Sequence, residues 1–271
     1  MGLFFYAATL LAITQPLQAS KLANEKKEEI RVLPVSATPE SNTTLIAIAF
    51  PKVGAVIKGD PTWIQLRVDG FALEADSQFD RADEIAGTKM GQTIHVVIDD
   101  LPYFPINGPA INPFNEEGYF YFTSYKFEVP FSLKEGVHTL CVFPARSFGE
   151  SLKSKNNFQS TYFYVGSKKG APVINLSKPY LIYNEPSDNF YLTTSQPILL
   201  DFYINNCELS SDGYKVILTI DKKFTQTLTS WQPYYIYGLT RGKHTIRLQL
   251  VNAKEKASSS CCDVERTIQV H

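Results

Sequence analysis

Gly91-Gln92-Thr93-Ile94-His95-Val96-Val97-Ile98-Asp99 and Gly213-Tyr214-Lys215-Val216-Ile217-Leu218-Thr219-Ile220-Asp221 carry one pattern twice. Each opens on Gly, places aliphatic residues at every second position and ends on Ile-Asp. A period of two is the mark of a half-buried β-strand. A second pair repeats the relation further along. Leu133-Lys134-Glu135-Gly136-Val137-His138-Thr139-Leu140 matches Leu239-Thr240-Arg241-Gly242-Lys243-His244-Thr245-Ile246. The chain therefore holds two copies of one β module.

The two copies agree on phase, which assigns the inward side of each strand. Ile64, Leu66 and Val68 match Leu200, Phe202 and Ile204; Ile94, Val96 and Ile98 match Val216, Leu218 and Ile220; Leu140 and Val142 match Ile246 and Leu248. The outward set then includes His95, Trp63 and Cys141. Strands are expected at 63–68, 92–98, 119–131, 137–143 and 161–165, and again at 173–175, 180–183, 198–205, 214–220, 234–237, 244–251 and 264–270. Many short strands with turn residues between them and no helical period predict an all-β fold of two tandem immunoglobulin-like antiparallel sandwiches.

Spacing between matched positions shows what the first copy adds. Val68 to Gly91 spans 23 positions against 9 from Ile204 to Gly213, and Asp99 to Leu140 spans 41 against 25 from Asp221 to Ile246. The first module thus carries insertions at 74–90 and 101–118. Its expected bounds are 44–166, followed by a short polar linker at 167–171 and the second module at 172–271.

Ahead of the modules, Leu3 to Thr14 is an apolar run that, with the small residue Ala19, predicts a signal peptide over 1–19. The run is too short to cross a bilayer comfortably, so no stable membrane span is expected after cleavage. Residues 20–43, centred on Lys26-Lys27-Glu28-Glu29, are expected to be a flexible lead-in. These features predict export, to the periplasm or the outside. The net charge of -1 lacks the electrostatic footprint of a nucleic-acid binder. Of the four Cys, a disulfide from Cys207 to Cys261 or Cys262 would staple the second module; four buried thiols fit the count equally. No zinc spacing is present.

Long surface insertions are where function is expected. The segment Leu101-Pro102-Tyr103-Phe104-Pro105-Ile106 is rich in Pro and aromatics, so it either presents rings to a ligand or folds back to cap the core. Strand parity places Tyr103, Phe104 and Phe114 near Arg146, Glu150 and Lys153, and Trp63 beside Arg67 has the character of an interface anchor. These seven residues, Arg67 aside, are the candidate binding set. The turn Arg146-Ser147-Phe148-Gly149-Glu150-Ser151 lacks the Gly-x-Ser-x-Gly of a nucleophile elbow and is expected to be structural, with Arg146 paired to Glu150. His138 and His244 occupy equivalent places, which points to a shared turn role. No catalytic residue, metal site or cofactor is assigned. The expected function is a non-enzymatic interaction module binding an envelope or extracellular protein through loops of the first domain. The alternative is a carbohydrate-binding module recognising a polysaccharide through loop aromatics.

The repeated Gly-x-His-Thr-[Leu/Ile] and the Ile-Asp strand ends resemble the immunoglobulin-like modules of secreted bacterial proteins. The run Phe143-Pro144-Ala145-Arg146-Ser147-Phe148-Gly149-Glu150-Ser151-Leu152-Lys153 is similar to a segment of uncharacterised exported proteins of chlamydia-related bacteria. The resemblance implies a tandem β-sandwich and export, and carries no catalytic or ligand residues. The antibody-type Cys…Trp…Cys core is absent.

Overall fold

The computed structural model describes residues 29–108, 123–188, 190–254, 256 and 262–271. The expected signal peptide, the start of the lead-in, Phe114 and Cys261 lie outside the described residues.

The first module is a sandwich of two sheets. One holds β2 (Leu45–Phe50), β4 (Trp63–Asp69) and β7 (Thr123–Glu128) in the order β2-β4-β7; the other holds β3 (Ala55–Ile57), β5 (Thr93–Ile98), β6 (Phe104–Ile106), β8 (Gly136–Ala145) and β9 (Gln159–Val165) in the order β3-β9-β8-β5-β6. The second module pairs β10 (Tyr180–Glu185), β11 (Ile198–Asn205) and β14 (Tyr234–Tyr237) in one sheet, and β12 (Lys215–Ile220), β13 (Phe224–Leu228), β15 (Gly242–Val251) and β16 (Asp263–Val270) in the other. The pairs are antiparallel except one. After Pro51 the chain crosses from one sheet to the other, so β3 meets β9 running in the same direction.

Inward phases are as expected. Ile64, Leu66, Ile94, Val96, Leu140 and Val142 are fully buried, as are Leu200, Phe202, Val216, Leu218, Ile246 and Leu248. They fill two separate cores, one per sandwich. The expected strand at 173–175 does not form, and Val173 is largely exposed.

The repeated motif builds the same corner twice. Asp99 and Asp221 take positive φ (54° and 51°), which turns each carboxylate back onto the neighbouring strand. Asp99 Oδ1 accepts the Thr139 amide at 2.8 Å and Asp221 Oδ1 the Thr245 amide at 2.8 Å. The other carboxylate oxygens meet His138 and His244 Nδ1 at 2.8 and 2.7 Å, while each Nε2 reaches a carbonyl, of Lys134 or Thr240, at 2.8 and 2.7 Å. Gly136 and Gly242 start the return strands at φ of 141° and 132°, where a Cβ would be strained. The paired histidines are turn residues.

One expectation is corrected here. Residues 29–43 are not a free lead-in: Arg31–Pro34 forms β1, which pairs antiparallel with β14 of the second module. The physical cause is one aliphatic side chain, Val32, which enters the second core. The two modules also pack directly on each other. The outer face of the five-stranded sheet packs on the outer face of β1-β14-β11-β10, giving four β layers in one stack.

Candidate functional site

Two apolar clusters join the modules. In the first, Val97, Tyr103, Cys141 and Phe143 meet Ile182 and Tyr203, with Phe158 and Trp231 at the margin. In the second, Ile85 and Phe148 meet Leu199 and Tyr235, with Phe79 and Ala82 packed against them. Both insertions contribute. Insertion 74–90 folds around a single helical turn, α1 (Arg81–Glu84), and supplies Phe79, Ala82 and Ile85. Insertion 101–118 supplies Tyr103 to the interface and β6 to the sheet.

Between the clusters runs a buried polar network. Asp201 is completely buried; its carboxylate accepts from the Ser151 hydroxyl, the Lys153 ammonium at 2.5 Å and Asn184 Nδ2 at 2.8 Å. Asn184 Nδ2 also donates to the Gly149 carbonyl at 2.7 Å, so its Oδ1 is left as acceptor and His95 Nδ1–H donates to it at 2.6 Å. The His95 ring stacks on Tyr103 with centroids 3.6 Å apart, and the Tyr103 hydroxyl donates to Glu185. Burial drives His95 down to about 3 although the Asn184 contact opposes it. Burial drives Glu185 up to about 8 against the Tyr103 and Ser187 hydrogen bonds. Both groups are thus held neutral near pH 7. Gly149 lets the turn approach this closely: a Cβ there would lie 2.9 Å from Glu185 and Phe190.

A third layer of contacts straps the interface from outside. Arg81 reaches the Glu150 carboxylate, the Tyr235 hydroxyl at 3.0 Å and the Ser36 carbonyl. The Thr38 amide donates to Glu150 at 2.7 Å, and Arg146 donates to Gln92, Thr38 and the Pro39 carbonyl. Glu40 accepts the amides of Lys153 and Ser154 and the Asn157 side chain at 2.6 to 2.9 Å. Residues 31–40 therefore lie across both modules.

The candidate binding residues fall into three groups. Tyr103, Arg146 and Glu150 are consumed by the interface; the ion pair of Glu150 is with Arg81, while the Arg146 side chain bonds elsewhere. Phe104 packs edge-on against Phe127 and Phe131 in the first core. These four are not gathered into one exposed loop: Tyr103, Arg146 and Glu150 hold the interface and its strap, and Phe104 faces the first core. Lys153 lies at the floor of an open groove with its ammonium committed to Asp201, and Trp63 is 39% exposed beneath the Lys126 ammonium, 5.0 Å from the ring centroid. Cys141 is buried between the modules, as an outward residue covered by inter-domain packing. Cys207 is a free thiol, raised to about 11 by burial, and the Cys262 thiol lies 3.4 Å from the Pro179 carbonyl, so the structure holds no bridge between them.

The groove is the site that sequence reasoning missed. It opens between the modules, with a volume near 760 Å³. Phe158 and Trp231, both partly buried, contribute aromatic surface over the buried Tyr203, and Gln159, Asn205 and Asn206 contribute amides. Tyr203 stacks on Phe158 at 4.6 Å and meets Trp231 edge-on at 4.9 Å. Trp231 Nε1–H donates to the Phe202 carbonyl at 2.9 Å, which holds the indole in place. Lys153 is neutralised by Asp201, and Lys155 shares the groove with Glu208, so the lining carries little net charge. Its residues are scattered over 153–160, 203–209 and 231, and only the packing of the two modules brings them together. Among the described residues no cluster of three His, Cys, Asp or Glu forms a metal-binding set, and no helix is long and apolar enough to cross a membrane.

No protein-family model matches the chain, and no curated protein matches it. Among solved structures it is similar to the fibronectin(III)-like modules of Clostridium thermocellum CbhA, at 13% identity, covering 83% of this chain and 93% of that one, with a TM-score of 0.26. It is similar to dimeric latent PorU from Porphyromonas gingivalis at 13% identity, covering 93% of this chain and 21% of that one, with a TM-score of 0.27. A third similarity is to Bacteroides ovatus SGBP-B of a mixed-linkage glucan utilization locus, in complex with a heptasaccharide; identity is 15%, coverage 90% and 48%, and TM-score 0.20. The fold class is all-β, two tandem β-sandwiches of almost wholly antiparallel sheets.

Proposed function

We propose that this chain is an exported, non-catalytic recognition protein whose ligand is a polysaccharide segment lying in the inter-module groove. The observation that carries the reading is the groove itself: a nearly uncharged concavity in which Phe158 and Trp231, held by the buried Tyr203, stand among amides. Sugars are bound by such combinations of apolar ring contact and oriented polar groups. The welded interface supports it, since a site shared by two rigidly joined modules loses little freedom on binding. Export is supported by the apolar run of 3–14. The test is retention on a panel of insoluble and soluble polysaccharides, comparing the full chain with Trp231→Ala and Phe158→Ala. Each substitution is expected to weaken retention by about tenfold or more, the usual effect of truncating an aromatic anchor. Unchanged retention in both variants would move the site elsewhere, and no retention on any polysaccharide would overturn the ligand class.

A second reading, protein contact in the envelope, is favoured by the outer face of β2-β4-β7. Trp63 and Phe50 are both more than one-third exposed there, and Phe50 lies opposite Gln65, the next outward position after Trp63. Capture of one discrete envelope protein by the full chain, lost in Trp63→Ala, would support it.

A further inference from the structure

The sheet β1-β14-β11-β10 is completed by a strand from outside the module it completes. β10, β11 and β14 belong to the second module, whereas β1 precedes the whole of the first. The register is antiparallel, from Arg31↔Tyr237 to Pro34↔Tyr234. Of the four β1 side chains only Val32 is buried, at 4% exposure, where it joins Ile236 and Leu228 in the second core. Its carbonyl accepts Gln226 Nε2 at 3.2 Å, and the Arg31 guanidinium lies 5.3 Å from the Tyr237 ring centroid. Beyond the strand, the Val35 amide donates to the Pro233 carbonyl at 3.0 Å.

Beneath β1, β14 has Tyr234, Tyr235 and Ile236 buried on both faces. Stripped of β1, it would present an apolar strand edge with unpaired backbone groups, the kind of edge that recruits another extended chain. The requirements on that chain can be read from its occupant: antiparallel entry, an aliphatic residue at the second position, and solvent-facing neighbours of any type. Every copy of this protein carries such a segment. Moreover, the stretch that would leave with β1, residues 36–40, makes its contacts with Arg81, Arg146, Glu150 and the 153–157 turn, and all of these recur on a second copy. A symmetric exchange would remake every contact it breaks, which is the condition under which swapping gives dimers at little cost.

We propose that the β14 edge is a strand-acceptor site at which two copies of this chain exchange Arg31–Pro34. The proposal is independent of the groove and its ligand. A labelled peptide of residues 29–41 is titrated into the wild-type chain and into the full-length variants Val32→Asp and Val32→Lys. Binding at least about tenfold tighter to the two variants than to the wild type is expected, because the wild-type site is filled. The same peptide carrying Val32→Asp is expected not to bind. If a variant folds only when the peptide is added, that supports the site equally. Absence of peptide binding to variants that unfold cooperatively overturns it. Two differently tagged wild-type chains, concentrated together, warmed and diluted, are expected to co-purify, and Val32→Asp chains are not. Peptide binding without co-purification of the tagged wild-type chains overturns exchange between copies.

Discussion

Asp221 and His244 show how a few residues set a local structure and its response to pH. Burial raises the Asp221 carboxylate, but the His244 contact and the Thr245 amide outweigh it and leave its pKa below the usual value. A carboxylate depressed on folding adds stability above its unfolded pKa and loses it as pH falls through the lowered one. Removing this acceptor, in Asp221→Ala, is expected to cost about 1–3 kcal/mol in urea denaturation at neutral pH, with the Thr245 amide left unpaired. The interface works in the opposite sense at Glu185. There the folded carboxyl keeps its proton up to about pH 8 while the unfolded one loses it near 4.5, so stability present at low pH is lost as pH rises through that window. His95 behaves conversely: it is neutral in the fold down to about 3 and titrates near 6.5 when unfolded, so stability falls as pH drops from 6.5 toward 3. Between 4.5 and 6.5 the two effects oppose each other; above 6.5 only Glu185 acts. Thermal unfolding of Glu185→Gln is therefore expected to show a shallower decline between pH 6.5 and 8 than the wild type. Parallel profiles would show that Glu185 ionises as readily in the fold as outside it.

At the level of elements, the insertions join the modules together. Arg81 on α1 faces Glu150, whose side chain is 2% exposed and whose pKa burial raises against the pull of the Thr38 amide and Arg81. Arg81→Ala would leave that carboxylate buried without its cation, at an expected cost of about 3–5 kcal/mol in chemical denaturation. Phe104→Ala is expected to lose about 1–3 kcal/mol, as the truncation of a partly buried ring packed against the first core, a result that a freely exposed binding ring would not give. Repetition made the central strands legible: 198–205 and 234–237 run as expected, and the inward phase of β4, β5, β8, β11, β12 and β15 holds throughout. Five strands escaped. Arg31–Pro34 has one buried side chain and ends on Pro, Phe104–Ile106 has Pro at its centre, and Ala55–Ile57 is three residues long, while Leu45–Phe50 and Phe224–Leu228 lie outside the repeated motifs from which the register was read. The interface did leave a trace in the sequence. Val97, Cys141, Phe143, Ile182 and Tyr203 interrupt the expected polar outward phase, and near-continuous apolar runs belong to strands covered on both faces.

As a whole, the molecule is one stack of four sheets with three buried layers, the middle one shared by both modules. Sequence repetition reveals the modules but is silent on how they dock, because docking depends on the outward residues, where the copies differ: His95 against Ile217, Cys141 against Arg247. The groove follows from that docking and was illegible for the same reason. If the modules are welded by two apolar clusters, a buried network and the 31–40 strap, they cannot unfold separately. Scanning calorimetry of the chain at neutral pH tests this most directly. A single transition is predicted, with calorimetric and van't Hoff enthalpies equal. Two resolved transitions, one per sandwich, would contradict it and with it the idea of a preformed site between the modules.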